Sequence, residues 1–100
     1  MTQYVIPVTP SARQTFGVTL SGQSCTVNLE WRDGYGMFLS LDVGGNPICA
    51  GRICLDRVPI IRRVGAGLPG DLFFQDTQGN ADPQPDGLGS RWELIYDDSE

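Results

Sequence analysis

One hundred residues, 40% of them apolar, make a single domain able to bury roughly 60–65% of the surface that its unfolded chain exposes. The formal net charge is −5 with no histidine and no lysine, which removes the commonest acid–base, metal-binding and Schiff-base side chains and disfavours nucleic acid as a specific ligand. No apolar run is long enough for a membrane-spanning helix, and Met1-Thr2-Gln3 leads directly into strand-like sequence without a signal segment, so cytoplasmic synthesis is the expectation.

Residues 2–8 read as an opening strand in which Pro7, with no amide to donate, predicts an edge or a strand end. Pro10-Ser11-Ala12 turns the chain. Apolar residues then recur at every second position: Phe16, Val18 and Leu20; Cys25, Val27, Leu29 and Trp31; Met37, Leu39, Leu41 and Val43. That period predicts three half-buried strands at about 13–21, 23–31 and 37–43, joined by Gly-bearing hairpin connectors at 21–23 and 32–36. Gly44-Gly45-Asn46-Pro47 is expected to break the third strand, and residues 48–55 resume an extended pattern with a bulge at Gly51. Residues 56–64 place Pro59 among β-branched neighbours, which argues against a helix and for a strand or irregular segment. A corner at Gly65–Gly70, a compact strand Leu72–Gln75, a polar loop from about 77 to 90 and a last strand Arg91–Tyr96 complete the chain. Trp31 and Trp92 fall in phase with buried neighbours and are expected to point inward. Together these predict an all-β fold, a small single-domain barrel or sandwich of about six to eight short, mainly antiparallel strands over residues 1–100, with an acidic tail at about 97–100 expected to fray.

Little in this pattern carries chemistry. Cys25, Cys49 and Cys54 are odd in number and lack metal-site spacing, so they are expected to be reduced, buried small hydrophobes. Asp76–Asp82 alternates side-chain oxygens as calcium loops do, but its glycine is misplaced and no helices flank it, so a hairpin tip built from Asx turns is the better reading. Gly65–Gly70 matches a phosphate loop only in glycine content. The carboxylate pairs Asp82/Asp86 and Asp97/Asp98 sit on a loop and a tail, and no serine has a histidine base. No catalytic, cofactor-binding or metal-binding residue is predicted, and the chain is not expected to be an enzyme.

Charge is distributed unevenly. Residues 51–63 hold Arg52, Arg57, Arg62 and Arg63 against Asp56 alone, whereas residues 76–100 hold seven acids against Arg91 alone. Opposite patches on one subunit can steer ordered association, so Arg52, Arg57, Arg62, Arg63, Asp97 and Asp98 are the candidate assembly interface. Internal pairing of solvated faces is the competing reading. A small carbohydrate- or protein-binding β-module is the alternative function, for which Tyr4, Trp31, Tyr35, Trp92 and Tyr96 would have to form an exposed platform.

The order of Tyr4–Pro10, Phe16–Gly22, Gly45-Asn46-Pro47-Ile48, Leu55–Ile61, Gly67–Phe74 and Leu88–Tyr96 is similar to that of the small baseplate plug family of contractile-tailed bacteriophages and prophages, across nearly the whole chain. Where an aromatic is expected near position 64, this chain has Arg63-Val64-Gly65. The resemblance implies a virion structural protein, made in the host cytoplasm and located at the distal end of the tail tube in the baseplate. It implies hub and tube proteins as partners, with copies of the chain associating within the assembly, no cofactor, no specific nucleic-acid ligand and no membrane. The implied mechanism is assembly through edge strands and loops, helping to seal or organise the tube end until contraction.

Overall fold

The computed structural model describes residues 3–61, 68 and 70–98. Two antiparallel sheets face each other as a sandwich rather than a closed barrel. One sheet has the order β1 (Gln3–Ile6), β7 (Trp92–Asp97), β6 (Asp71–Asp76); the other is a meander of β2 (Arg13–Leu20), β3 (Gln23–Arg32), β4 (Gly36–Val43) and β5 (Asn46–Ile53). The predicted corner at Gly65–Gly70 lies largely outside the described residues.

The meander follows from its turns. Ser21 and Gly22 both have positive φ, 49° and 74°, as do Gly44 and Gly45, 57° and 86°. Two successive left-handed residues form the primed turn whose twist matches the flanking strands, which sets the register Leu20↔Gln23 in one hairpin and Val43↔Asn46 in the other. The break expected at Gly44–Pro47 is therefore a two-residue turn followed at once by β5, and Pro47 is tolerated because β5 lies at the edge of its sheet. Between Leu39↔Arg52 and Leu41↔Cys49 the β5 strand holds an extra residue, the bulge expected at Gly51, whose amide donates to Ser40 Oγ at 2.9 Å.

The alternation buries one face of each strand. Val27, Leu29, Met37, Leu39 and Leu41 of the meander meet Ile6, Leu72, Phe74, Trp92, Leu94 and Tyr96 of the smaller sheet in one apolar core. Each such large side chain contributes about 1.5–3 kcal/mol through removal from water. Residues 56–61 are neither helix nor strand: Asp56 makes an isolated parallel bridge with Phe74, Arg57 turns in the left-handed region at φ 60°, and Ile60 and Ile61 drop into the core. A short 3-10 turn at Pro85–Gly87, unforeseen in the polar loop, brings Gly87 against the Trp92 ring. Trp92 is buried as expected and donates Nε1–H to Ala81 O at 2.9 Å, while Trp31 keeps the inward phase but is only half-buried at the end of β3.

Candidate functional site

Among the described residues, Arg57 lies away from the acidic end of β7. Arg57 donates to Asp56 Oδ2 at 2.7 Å and Asp76 O at 3.1 Å, with longer bonds to Gly79 O and Asn80 Oδ1, so its guanidinium ties the 56–61 crossing to the loop after β6. Asp97 lies at the other end of β6, opposite Asp71 and Gln3, and accepts from Gln3 Nε2 at 3.1 Å. Arg52 is half-buried on β5 opposite Leu39. Asp98 follows β7, and Arg62 and Arg63 lie outside the described residues.

Sequence reasoning missed the best-formed polar site, at Asp76. This carboxylate is 1% exposed and receives both Arg91 Nε and Arg91 Nη2 at 2.9 Å, together with the amides of Gln78 and Ala81 at 2.8 Å. The Arg91 hydrogen bond holds its carboxyl well below the usual carboxylate range, and the two amides add to this against the opposing effect of burial. The bond from Gln78 is an Asx turn, so the oxygen-rich loop is built as a turn that clamps itself. Fifteen residues separate Asp76 from Arg91 in the chain. They meet only because β6 and β7 pair with Asp76 opposite Trp92, a long-range fact with no local signature.

The thiols are buried and free, and burial raises the pKa of each, that of Cys54 to about 12, which leaves no nucleophilic thiolate near neutral pH. Among the described residues no group of three or more His, Cys, Asp or Glu side chains is arranged to hold a metal ion. Among the described residues, besides a polar hollow on the meander lined by Glu30, Arg32, Phe38 and Ser40, there are two further concave surfaces. One surrounds Trp31, whose indole donates to Asp33 Oδ1 at 2.8 Å, beside Pro85, Gln84 and the exposed Tyr35. The other is a groove of about 390 Å³ between β1 and β2.

A protein-family model described as "Cyanophage baseplate Pam3 plug gp18" matches residues 3–99. The chain belongs to this family. As a baseplate plug protein it has a structural role in the phage tail baseplate, and the match covers every strand of the sandwich. No curated protein matches the chain. In a plug protein the surfaces that matter are those offered to other tail components; the Asp76 loop is bonded to itself, whereas among the described residues β1 and β2 each pair with one strand only.

Proposed function

We propose that this protein plugs the distal end of the tail tube in the baseplate, held there by protein–protein contacts with hub and tube proteins and with further copies of itself. The family match over residues 3–99 carries this reading. The absence of histidine and lysine and the buried thiols agree with a role that needs shape and surface rather than catalysis. Neither nucleic acid nor a membrane is needed as partner, and the protein is placed in the virion's tail baseplate after synthesis in the host cytoplasm. Arg52, Arg62, Arg63, Asp97 and Asp98 are the charged groups assigned to neighbours, while the Arg57 guanidinium bonds Asp56 and Asp76 O.

Cryo-electron microscopy of the tail particle is the test. Density for a two-sheet β-sandwich of this size at the distal end of the tube is expected, and particles lacking it would overturn the proposal. Charge reversal at Arg52, Arg62 and Arg63 should lower incorporation without unfolding the domain; unchanged incorporation would remove these residues from the interface. A second reading, a glycan-binding module, is favoured by the Trp31 cleft with Tyr35 and Asp82 at its rim, and binding of the isolated protein to a glycan array would support it.

A further inference from the structure

Each sheet has an end strand with one neighbour among the described residues: β1 pairs with β7 alone and β2 with β3 alone. These two strands flank one groove, with Tyr4, Val5 and Ile6 on one wall and Val18, Thr19 and Leu20 on the other. Its floor includes Tyr96, whose hydroxyl shares a 2.8 Å hydrogen bond with Ser21 Oγ and whose ring lies 6.1 Å from that of Tyr4 at an interplanar angle of 19°. Edge strands of stable monomers are normally blunted by charge, by proline within the strand or by a covering element, because their outward amides and carbonyls otherwise recruit a further strand. The sequence Gln3-Tyr4-Val5-Ile6 has no charge, and Pro7 comes only after the strand ends.

Successive residues of β1 are both exposed, Tyr4 by 50% and Val5 by 58%, so apolar surface is offered on both faces of the strand. On the outer face, Val5 stands opposite Ile95, and Ile95 opposite Phe73, giving an apolar row across three strands that runs out at the β1 edge. At the Tyr4 end lie Asp97, opposite Gln3, and Asp98, whose charge reaches the Tyr96 hydroxyl.

We propose that a neighbouring baseplate protein adds an extended strand to the free edge of β1, over the β1–β2 groove. The incoming strand is apolar on both faces, one side filling the groove and the other continuing the Val5–Ile95–Phe73 row. It carries an arginine or lysine at the end beside Asp97 and Asp98. Main-chain hydrogen bonds supply affinity in this mode, while alternate side chains and the charge pair set specificity and register. The inference rests on the plug reading and names the surface through which it works.

The test compares the wild-type chain with a Val5→Lys/Thr19→Lys double variant, which puts charge on both walls at exposed positions. Each is co-expressed with the neighbouring tail proteins and quantified in purified particles, and the thermal midpoint of each isolated chain is measured. We expect at least tenfold lower incorporation of the variant with an unchanged midpoint, and slowed hydrogen exchange at β1 amides of the wild-type chain in particles. If the variant incorporates as well as wild type, or if β1 amides exchange equally fast in the particle, strand addition is overturned while the plug reading stands. If wild type itself is absent from particles, the plug reading fails and takes this partner with it. A wild-type chain that dimerises alone through β1, with the dimer lost in the variant, would make a second copy the occupant and overturn the choice of a different protein.

Discussion

Where β5 gives way to β6 the chain crosses between the sheets and binds itself shut. The Ile60 amide donates to Leu72 O at 2.9 Å and, with that of Ile61, to the Asp71 carboxylate; the Arg57 amide donates to Phe74 O at 2.7 Å; and the Cys54 amide reaches back to Met37 O at 2.8 Å. Asp56, Asp71, Asp76 and Asp82 each accept at least one main-chain N–H on this flank. The opposite flank has β1 and β2 with a groove between them and a Tyr96–Ser21 hydrogen bond at one end. One flank spends its carboxylates on holding the fold, and the other leaves strand edges and apolar side chains available. Two of the seven acids of residues 76–100, Asp76 and Asp82, are thus structural, because a carboxylate that accepts buried amides satisfies donors that would otherwise be costly.

The closed flank should be the more fragile to substitution. Phe74 is fully buried beneath the 56–61 crossing, which bonds to its carbonyl. Phe74→Ala is expected to cost about 3–5 kcal/mol by urea denaturation, since the crossing cannot collapse into the vacated volume without releasing its hydrogen bonds. A loss below about 1 kcal/mol would mean that the crossing is held by its polar contacts alone.

Asp76→Asn separates charge from packing on the same flank. Gln78 and Ala81 bond different oxygens of the carboxylate, so asparagine, with a single acceptor oxygen, keeps at most one of the two and loses the ionic part of the Arg91 contact; the thermal midpoint near neutral pH should fall by several degrees. The wild-type carboxyl has a folded-state pKa depressed below its unfolded value near about 3.9 by the Arg91 bond. The folded state therefore binds fewer protons than the unfolded state in acid. Its stabilisation is present above that unfolded value and is lost as the pH falls through and below it. The stability gap between wild type and variant should be constant from about pH 6 to 8 and narrow below about pH 4; an equal gap at about pH 3 would show that the carboxylate charge is not what holds the loop.

On the open flank, Tyr96→Phe removes the Tyr96 hydroxyl from Ser21 while leaving the buried ring in place, and should cost only roughly 0.5–1.5 kcal/mol. A larger loss would show that this bond closes the flank more firmly than its position at the groove end suggests.

The contrast between the flanks also marks what local sequence could reveal. The meander was readable because Cys25, Val27, Leu29 and Met37, Leu39, Leu41 keep a strict period of two, and the glycine turns fix their register. The all-β class, the bulge at Gly51 and the inward Trp92 followed from the same local rules. The 56–61 crossing was not readable, because what orders it is a set of partners from β6 and the following loop: Phe74 O, Leu72 O, Asp71 and Asp82. For the same reason the charge count around Arg57 suggested a free patch, whereas its guanidinium is bound to a loop that begins some twenty residues further on. The β1–β2 groove was equally hidden, since Tyr4-Val5-Ile6 is an ordinary strand sequence until the topology puts it at an edge.

The smallest effect on folding is expected at Val5, where the comparison between flanks is sharpest. Val5 is opposite Ile95 on the outer face and more than half exposed, so lysine there can keep its methylenes on the Ile95 side chain and its ammonium in water. Val5→Lys alone should change the stability of the isolated chain by no more than about ±0.5 kcal/mol in urea denaturation. A loss as large as that at Phe74 would mean that the β1 edge already serves the fold, in which case its uncharged, exposed sequence would need no partner to explain it. A neutral result would leave an exposed apolar side chain on the β1 edge that the isolated sandwich does not require, and the reason for it must then lie outside the chain.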